Sequence, residues 1–411
     1  MSGGCPFLNP TGAMPPSPGL KRSREPEELP SLLGFATSEK SFLHGEKPDP
    51  THYGSYLGIP QLLKNQEGEA QCKPDGKGLM HHEELTFIVI HQVFELWFKL
   101  TIADMEKSRT LLGGIESADV DTRHQRLDQV NHYLRRAEAI FRHVMEGFGL
   151  METMHPADFI EFRDYLIPAS GFQSVQFRTL EQIFGVQRQT RAMVNGKEVF
   201  EYLEADEQKK LAAEAEVPSF NVLVEELLAR IHVPENFKKV YYETTERVLR
   251  QQQFDIAKAP AGDKVAEKHV TTGLETTRSM LEEPVEWSEG LHCASDKEAE
   301  RYTKAVLAAL FVSSYRHEPR YALLASFIDQ LIATEQAMLI WRGRHMQMAE
   351  RMIGRRAGTG GTGSGVGYLD MTRRYRIFHC LWLVRKLFIR ASALPPLTSF
   401  ALGADIFTAP Q

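Results

Sequence analysis

Two histidines carry the first suggestion of chemistry. Met338, Trp341, His345, Met348 and Met352 recur every three or four residues, so they share one helix face with an imidazole at its centre. Phe87, His91, Phe94, Phe98, Ile102 and Met105 repeat the pattern elsewhere, with His91 on the apolar stripe. An imidazole in apolar surroundings beside a loop that can wrap a ligand is what an axial haem site needs. An ordinary core histidine has the same signature, so spacing alone leaves both readings open. Arg163 lies among Phe159, Phe162 and Leu166. A guanidinium sunk into such a face wants a carboxylate, either a ligand's or one from nearby Asp158, Glu161 or Asp164.

Other chemically suggestive stretches read more plainly. His81, His82, Glu83 and Glu84 are metal-ligand types, but adjacent helical residues diverge. They read as a solvated helix start, with carboxylates where the helix dipole favours them. Tyr53 and Tyr56 point the same way on a helical turn, which packing plus a surface hydroxyl would explain. GTGGTG at Gly358–Gly363 matches a dinucleotide fingerprint only formally, because a helix precedes it where a strand is required. It reads as a mobile loop whose amides and threonine hydroxyls can close over a small polar group, or as a plain connector.

The elements that must position these residues are helical. Periods of three and four mark 81–112, 122–148, 220–231, 237–250 and 302–315. Pro319 opens a long helix that Gly354 stops. A helix carrying Val175, Leu180 and Ile183, with Phe172 read alongside them, closes at Gly185. Residues 204–216 read as an exposed charged helix, 258–268 as a loop or frayed start, and 368–391 as one last helix broken by Pro395 and Pro396. No strand alternation, βαβ order or fixed repeat is present, so the expected fold is all-α.

The bulk numbers exclude several classes. The chain has 411 residues, 42% hydrophobic and 25% charged, as in an ordinary globular protein. A net charge of −6 gives no footprint for nucleic acid or anionic membrane. The four cysteines lack CxxC spacing, which argues against zinc and a disulfide framework and for a reducing compartment. No unbroken apolar run reaches the length of a membrane span, and no secretory leader is read at the N-terminus. A cytoplasmic location is expected.

Three segments together resemble one family. HQVFELWFK (91–99), FRDYLIPASGFQSVQFR (162–178) and WRGRHMQMAERMIG with GTGG (341–361) look like the signature segments of tryptophan 2,3-dioxygenase, in the right order. The match runs with gaps from about Tyr53 to Pro396, and MSGGCPF is similar to the start of animal members. Residues 1–45, rich in Pro, Gly, Ser and charge, read as a disordered or loosely attached N-terminal extension. The resemblance implies a single large all-helical haem dioxygenase domain over 46–400, followed by a C-terminal tail over 401–411. It implies a homotetramer with one haem b per subunit that opens the indole ring of L-tryptophan with O2, giving N-formyl-L-kynurenine. His345 would ligate the iron. His91 would be the distal histidine, hydrogen-bonded to the indole N–H. Phe87, Ile88, Val89 and Ile90 would line the indole pocket. Arg163 would clamp the substrate carboxylate, and Thr359 would hold its ammonium and carboxylate end. Tyr53 and Tyr56 would approach across a subunit boundary. Ser170 and Gly171 would sit on the distal side, near a bound ligand or a propionate.

Two departures stand out. Ala169 replaces a serine found in many bacterial members, and the glycine loop is one residue longer than GTGGSSGxxYL. Rival readings are a haem monooxygenase or peroxidase acting on a modified indole, and a non-enzymatic helical scaffold or haem-linked sensor.

Overall fold

The structure is a computed structural model and describes residues 52–66, 81–194, 196–258, 262–360, 364–403 and 405–407. The expected N-terminal extension lies outside the described residues. Two short helices, α1 (Tyr53–Tyr56) and α2 (Ile59–Leu62), lead in. Then come the two long helices α3 (His82–Leu112) and α4 (Val120–Met151), each about 45 Å long at the usual helical rise. His81 starts α3, its Nδ1 accepting the Glu83 N–H at 3.2 Å. Asp119 starts α4 in the same way through the Thr122 N–H at 2.9 Å.

After α4 come α5 (Pro156–Arg163), a turn region, and α6 (Val175–Phe184), which stops at Gly185 in the left-handed conformation. Phe172 belongs to the 3₁₀ turn Gly171–Gln173 before α6, not to α6 itself. Among the described residues the strands are Met193–Val194 and Lys197–Glu198, an antiparallel pair. The rest is α7 (Ala205–Ala215), α8 (Phe220–Ala229), α9 (Phe237–Ala257), α10 (Gly262–Glu282), α11 (Asp296–Ser314), α12 (Ala322–Ile353), α13 (Gly365–Thr372) and α14 (His379–Leu387). The expected all-α class is what the structure has.

Helix α4 packs against both α3 and α12, so the two histidine-bearing helices share one neighbour. Their seam is filled by Phe94, Phe98, Phe141, Phe148 and Trp341, all buried. Helices α8, α11 and α14 build a second layer, and α9 with α10 forms a hairpin.

The expected helix over 368–391 is two helices. The Glu335 carboxylate on α12, 1% exposed, accepts the N–H groups of Ile377 at 2.8 Å and Phe378 at 3.2 Å, and the Trp382 indole at 2.8 Å. These bonds pair the carboxylate and meet the donors at the start of α14, so the chain turns there instead of continuing. Helix α7 is not wholly exposed either: Glu214 is buried in an ion pair with Arg109 at 2.6 Å. The stretch expected as a C-terminal tail is docked as far as Phe407. That ring is buried, Asp405 pairs with Arg123, and the Ile406 carbonyl accepts the His232 N–H at 2.7 Å.

Helix α3 is apolar on two opposite faces. Phe94, Phe98, Ile102 and Met105 face the core, while Leu85, Val89, Val93, Leu96 and Leu100 are exposed. Helices α3 and α12 are long and apolar enough to cross a membrane by length and composition, despite lacking an unbroken apolar run. More than half of the relevant α12 stretch is buried inside the protein, as in a core helix.

Candidate active site

A cavity of about 540 Å³ lies where α3, α4, α5, α6, α12 and α13 converge. That is a volume typical of cofactor and small-molecule sites, and its lining is mainly apolar. Helix α12 brings His345 to its wall, and α3 brings His91. The two imidazoles are near enough for charge on His91 to disfavour charge on His345.

His345 is held by aromatic rings. It stacks on Phe148 with centroids 5.2 Å apart and planes at 10°, and Trp341 lies 5.5 Å away. Burial, then the charges of His91 and Arg342, push its pKa down to about 4. It is therefore neutral near pH 7, as an axial ligand must be. Among the described residues neither ring nitrogen has a hydrogen-bond partner.

His91 has a defined tautomer. Its Nδ1 lies 2.7 Å from the Phe87 carbonyl, which can only accept, so Nδ1 carries the proton. Nε2 is left as a bare acceptor. Burial lowers the pKa of His91, and the Phe87 carbonyl and Glu95 only partly oppose that.

Of the residues expected at an indole pocket, Phe87 lines the cavity, packed on Phe159 with centroids 5.7 Å apart. Ile88, Val89 and Ile90 do not line it. Successive helical side chains point in different directions, so Ile90 is buried towards Gly147 on α4 and Val89 is exposed on the outer face. Phe159 and Leu166 supply the walls in their place. Arg163, Thr359, Ser170 and Gly171 all border the cavity. Tyr53 and Tyr56 do not, and both are more than 70% exposed.

Arg163 has only a long, exposed carboxylate contact. Its Nη1 is 3.5 Å from the exposed Asp164 carboxylate, and Nη2 donates to the Ala357 carbonyl. Thr359 donates its hydroxyl to the Ala169 carbonyl at 2.6 Å. Residues 357–360, the described start of the glycine loop, are thus fastened to both α5 and the turn region before α6.

Sequence reasoning missed a buried ionic cluster. Glu181, wholly buried, meets Arg342 at 2.6 Å and Arg178 at 2.8 Å. Burial raises the Glu181 pKa, but Arg178, Arg342 and Arg191 outweigh it and hold it low. Arg178 and Arg342 both line the cavity and share one carboxylate between them, a surplus of positive charge. Both lie inside the quoted signature segments, yet no helical period distinguishes them from surface arginines.

These features fit a haem. The slot is apolar, a neutral imidazole borders it, and two guanidiniums line it, the kind of group that pairs with carboxylates. Trp341 also lines this cavity, and its buried Nε1 has no partner among the described residues. Among the described residues no three His, Cys, Asp or Glu side chains group as a metal cage.

The family model for tryptophan 2,3-dioxygenase matches residues 38–388. The chain is 34% identical over 367 residues to the tryptophan 2,3-dioxygenase of Sorangium cellulosum, covering 84% of this chain and 85% of that one. It is 35% identical to tryptophan 2,3-dioxygenase 2 of Ralstonia nicotianae, covering 85% and 96%. It is 32% identical to tryptophan 2,3-dioxygenase B of Danio rerio, covering 96% and 93%. The signature segments, the helical frame and these relatives agree, and the chain belongs to the tryptophan 2,3-dioxygenase family.

Proposed function

We propose that this chain oxidatively cleaves the indole ring of L-tryptophan with O2 to N-formyl-L-kynurenine, the first step of tryptophan catabolism by the kynurenine pathway. The observation that carries this is the placing of His345 and His91 on one apolar cavity bordered by Arg163 and Thr359. The family is haem-dependent, and haem b would be held by His345, with Arg178 and Arg342 at its propionates and Ser170 and Gly171 on the distal side. Bound haem supplies the iron that takes up O2.

The protein's own contribution is orientation and exclusion of water. Phe87, Phe159 and Leu166 give the flat indole apolar walls. The bare Nε2 of His91 accepts the indole N–H and fixes which ring edge faces the reacting oxygen. Arg163 exchanges the Ala357 carbonyl for the substrate carboxylate, a stronger charge-assisted partner. Thr359 binds the ammonium and carboxylate end. The C2=C3 bond breaks, and each carbon receives one oxygen atom of the same O2.

The homotetramer belongs to the same reading. A helix apolar on both faces is normally buried on both, and among the described residues nothing covers the outer face of α3. A second copy covers it, and Tyr53 and Tyr56 reach a neighbouring subunit's cavity. With α12 in the core and α3 in an interface, neither helix enters a membrane, and the protein is cytoplasmic. The described cysteines, Cys293 and Cys380, are unbridged, in keeping with that compartment.

The test is an anaerobic absorption spectrum with and without L-tryptophan, followed by admission of ¹⁸O₂. A haem spectrum that responds to tryptophan, and a formylkynurenine carrying two labels, are expected. One label would make the protein a monooxygenase, and a protein that takes up no haem would end the proposal.

A further inference from the structure

We infer that Gly360 and Phe172 form a seat that sets where residues 357–360 lie against the cavity, which makes them positioning residues for the amino-acid end of the substrate. The inference rests on the reading of Arg163 and Thr359 given above.

A Cβ at Gly360 would lie 2.6 Å from Phe172 Cζ and 2.7 Å from Ser170 Cβ, closer than real Cβ contacts come. By contrast, a Cβ at Gly365 would meet nothing nearer than 3.6 Å. Phe172 borders the cavity on one side and is hemmed in by aromatic rings on others. Its ring is 6% exposed, with Tyr202 edge-on at 5.5 Å and Tyr368 at 6.3 Å. Those neighbours are themselves tied: Tyr202 donates to the Val194 carbonyl at 2.9 Å, and the Tyr368 hydroxyl accepts from Arg178 at 3.4 Å.

Three fastenings therefore fall within four consecutive residues. Ala357 takes the Arg163 hydrogen bond, Thr359 holds Ala169, and Gly360 rests on Phe172 and Ser170. The two hydrogen bonds and the ring contact hold the same four residues from different partners. A side chain at 360 must lift the loop or displace Phe172, and either moves the two groups that receive the substrate carboxylate and ammonium. A shift of about 1 Å in such a site can cost about a hundredfold.

The experiment compares Gly360→Ala, Phe172→Leu and the double variant as purified holoenzymes. Gly360→Ala should raise KM for L-tryptophan about tenfold or more and change kcat less, with normal haem content. Inhibition by 3-methylindole, which lacks the amino-acid end, should be unchanged. Leucine lacks Cε1 and Cζ, the two nearest atoms a Cβ at 360 would strike, while Ser170 Cβ stays, so the double variant should recover part of the lost KM. Trypsin cleavage after the exposed Arg355 and Arg356, measured without substrate, should speed up in Gly360→Ala and slow again in the double variant. Wild-type KM and cleavage in Gly360→Ala, or no recovery in the double variant, would overturn the seat. If the unmutated protein failed to turn over tryptophan while cleavage followed the size exchange, the seat would stand and the reaction assignment would fall.

Discussion

Arg163 on α5 donates from Nη2 to the carbonyl of Ala357, 194 positions further along the chain. A neutral carbonyl is a weak partner for a nearly buried guanidinium, and Asp164, at 3.5 Å and mostly exposed, adds little. The arginine is held in place with capacity to spare for an incoming carboxylate. Arg163→Ala should raise KM for L-tryptophan about 10- to 100-fold, the range for losing charged hydrogen bonds. Arg163→Lys should recover little, because an ammonium cannot bind a carboxylate as a fork. Tryptamine, which lacks the carboxylate, should lose almost nothing in either variant, and equal handling of tryptamine and tryptophan by the unmutated enzyme would exclude a clamp.

His345 is neutral, stacked on Phe148 and without a hydrogen-bond partner among the described residues. His345→Ala should abolish stable haem binding while leaving a folded helical protein. Haem content and far-ultraviolet circular dichroism check the two halves, and a normal Soret band in the variant would remove His345 as the ligand.

His91 donates through Nδ1, and burial keeps it neutral to lower pH than an exposed histidine. His91→Ala should retain haem and lose about a hundredfold in turnover, the cost that misplacing a substrate by about 1 Å can carry. Any fall in kcat/KM that belongs to protonation of His91 should appear below pH 6.5 in the unmutated enzyme and vanish in the variant. Unchanged turnover would reduce His91 to a wall residue.

The outer face of α3 offers a direct probe of assembly. Leu96 is half exposed on the stripe of Leu85, Val89, Val93 and Leu100. Leu96→Glu places a charge there without touching the core face, so it should yield smaller oligomers at unchanged helix content. Sedimentation velocity is the measurement, and an unaltered mass would place the interface elsewhere.

His379, 5% exposed, begins α14 and does not line the cavity that holds His345 and His91. Burial, then the Arg376 charge, pushes its pKa down to about 4. The unfolded chain binds that proton from about pH 6.5 downward. Stability should therefore be complete above pH 6.5 and fall by about 3 kcal/mol as pH drops to about 4. His379→Gln should flatten this part of the profile. Urea midpoints at the two ends of the window would show it, and an equal slope in both proteins would sink the assignment.

Much of the site can be read from local pattern. His345, His91 and Arg163 declare themselves because each interrupts an apolar stripe, and helix period alone places them on inward faces. The Gly354 stop and the start of α3 are equally local, since capping involves neighbours a few residues apart. What local pattern could not decide is what meets across distance. Ile88 and Val89 share a segment with Phe87, but only packing against α4 and α5 shows which side chains reach the cavity. The Arg178–Glu181–Arg342 cluster joins α6 to α12, and Glu335 breaks the last helical stretch from a position more than forty residues earlier. A periodic pattern records which face of a helix is buried. It does not record the identity of the partner buried against that face, and for charged groups the partner decides whether burial is tolerable.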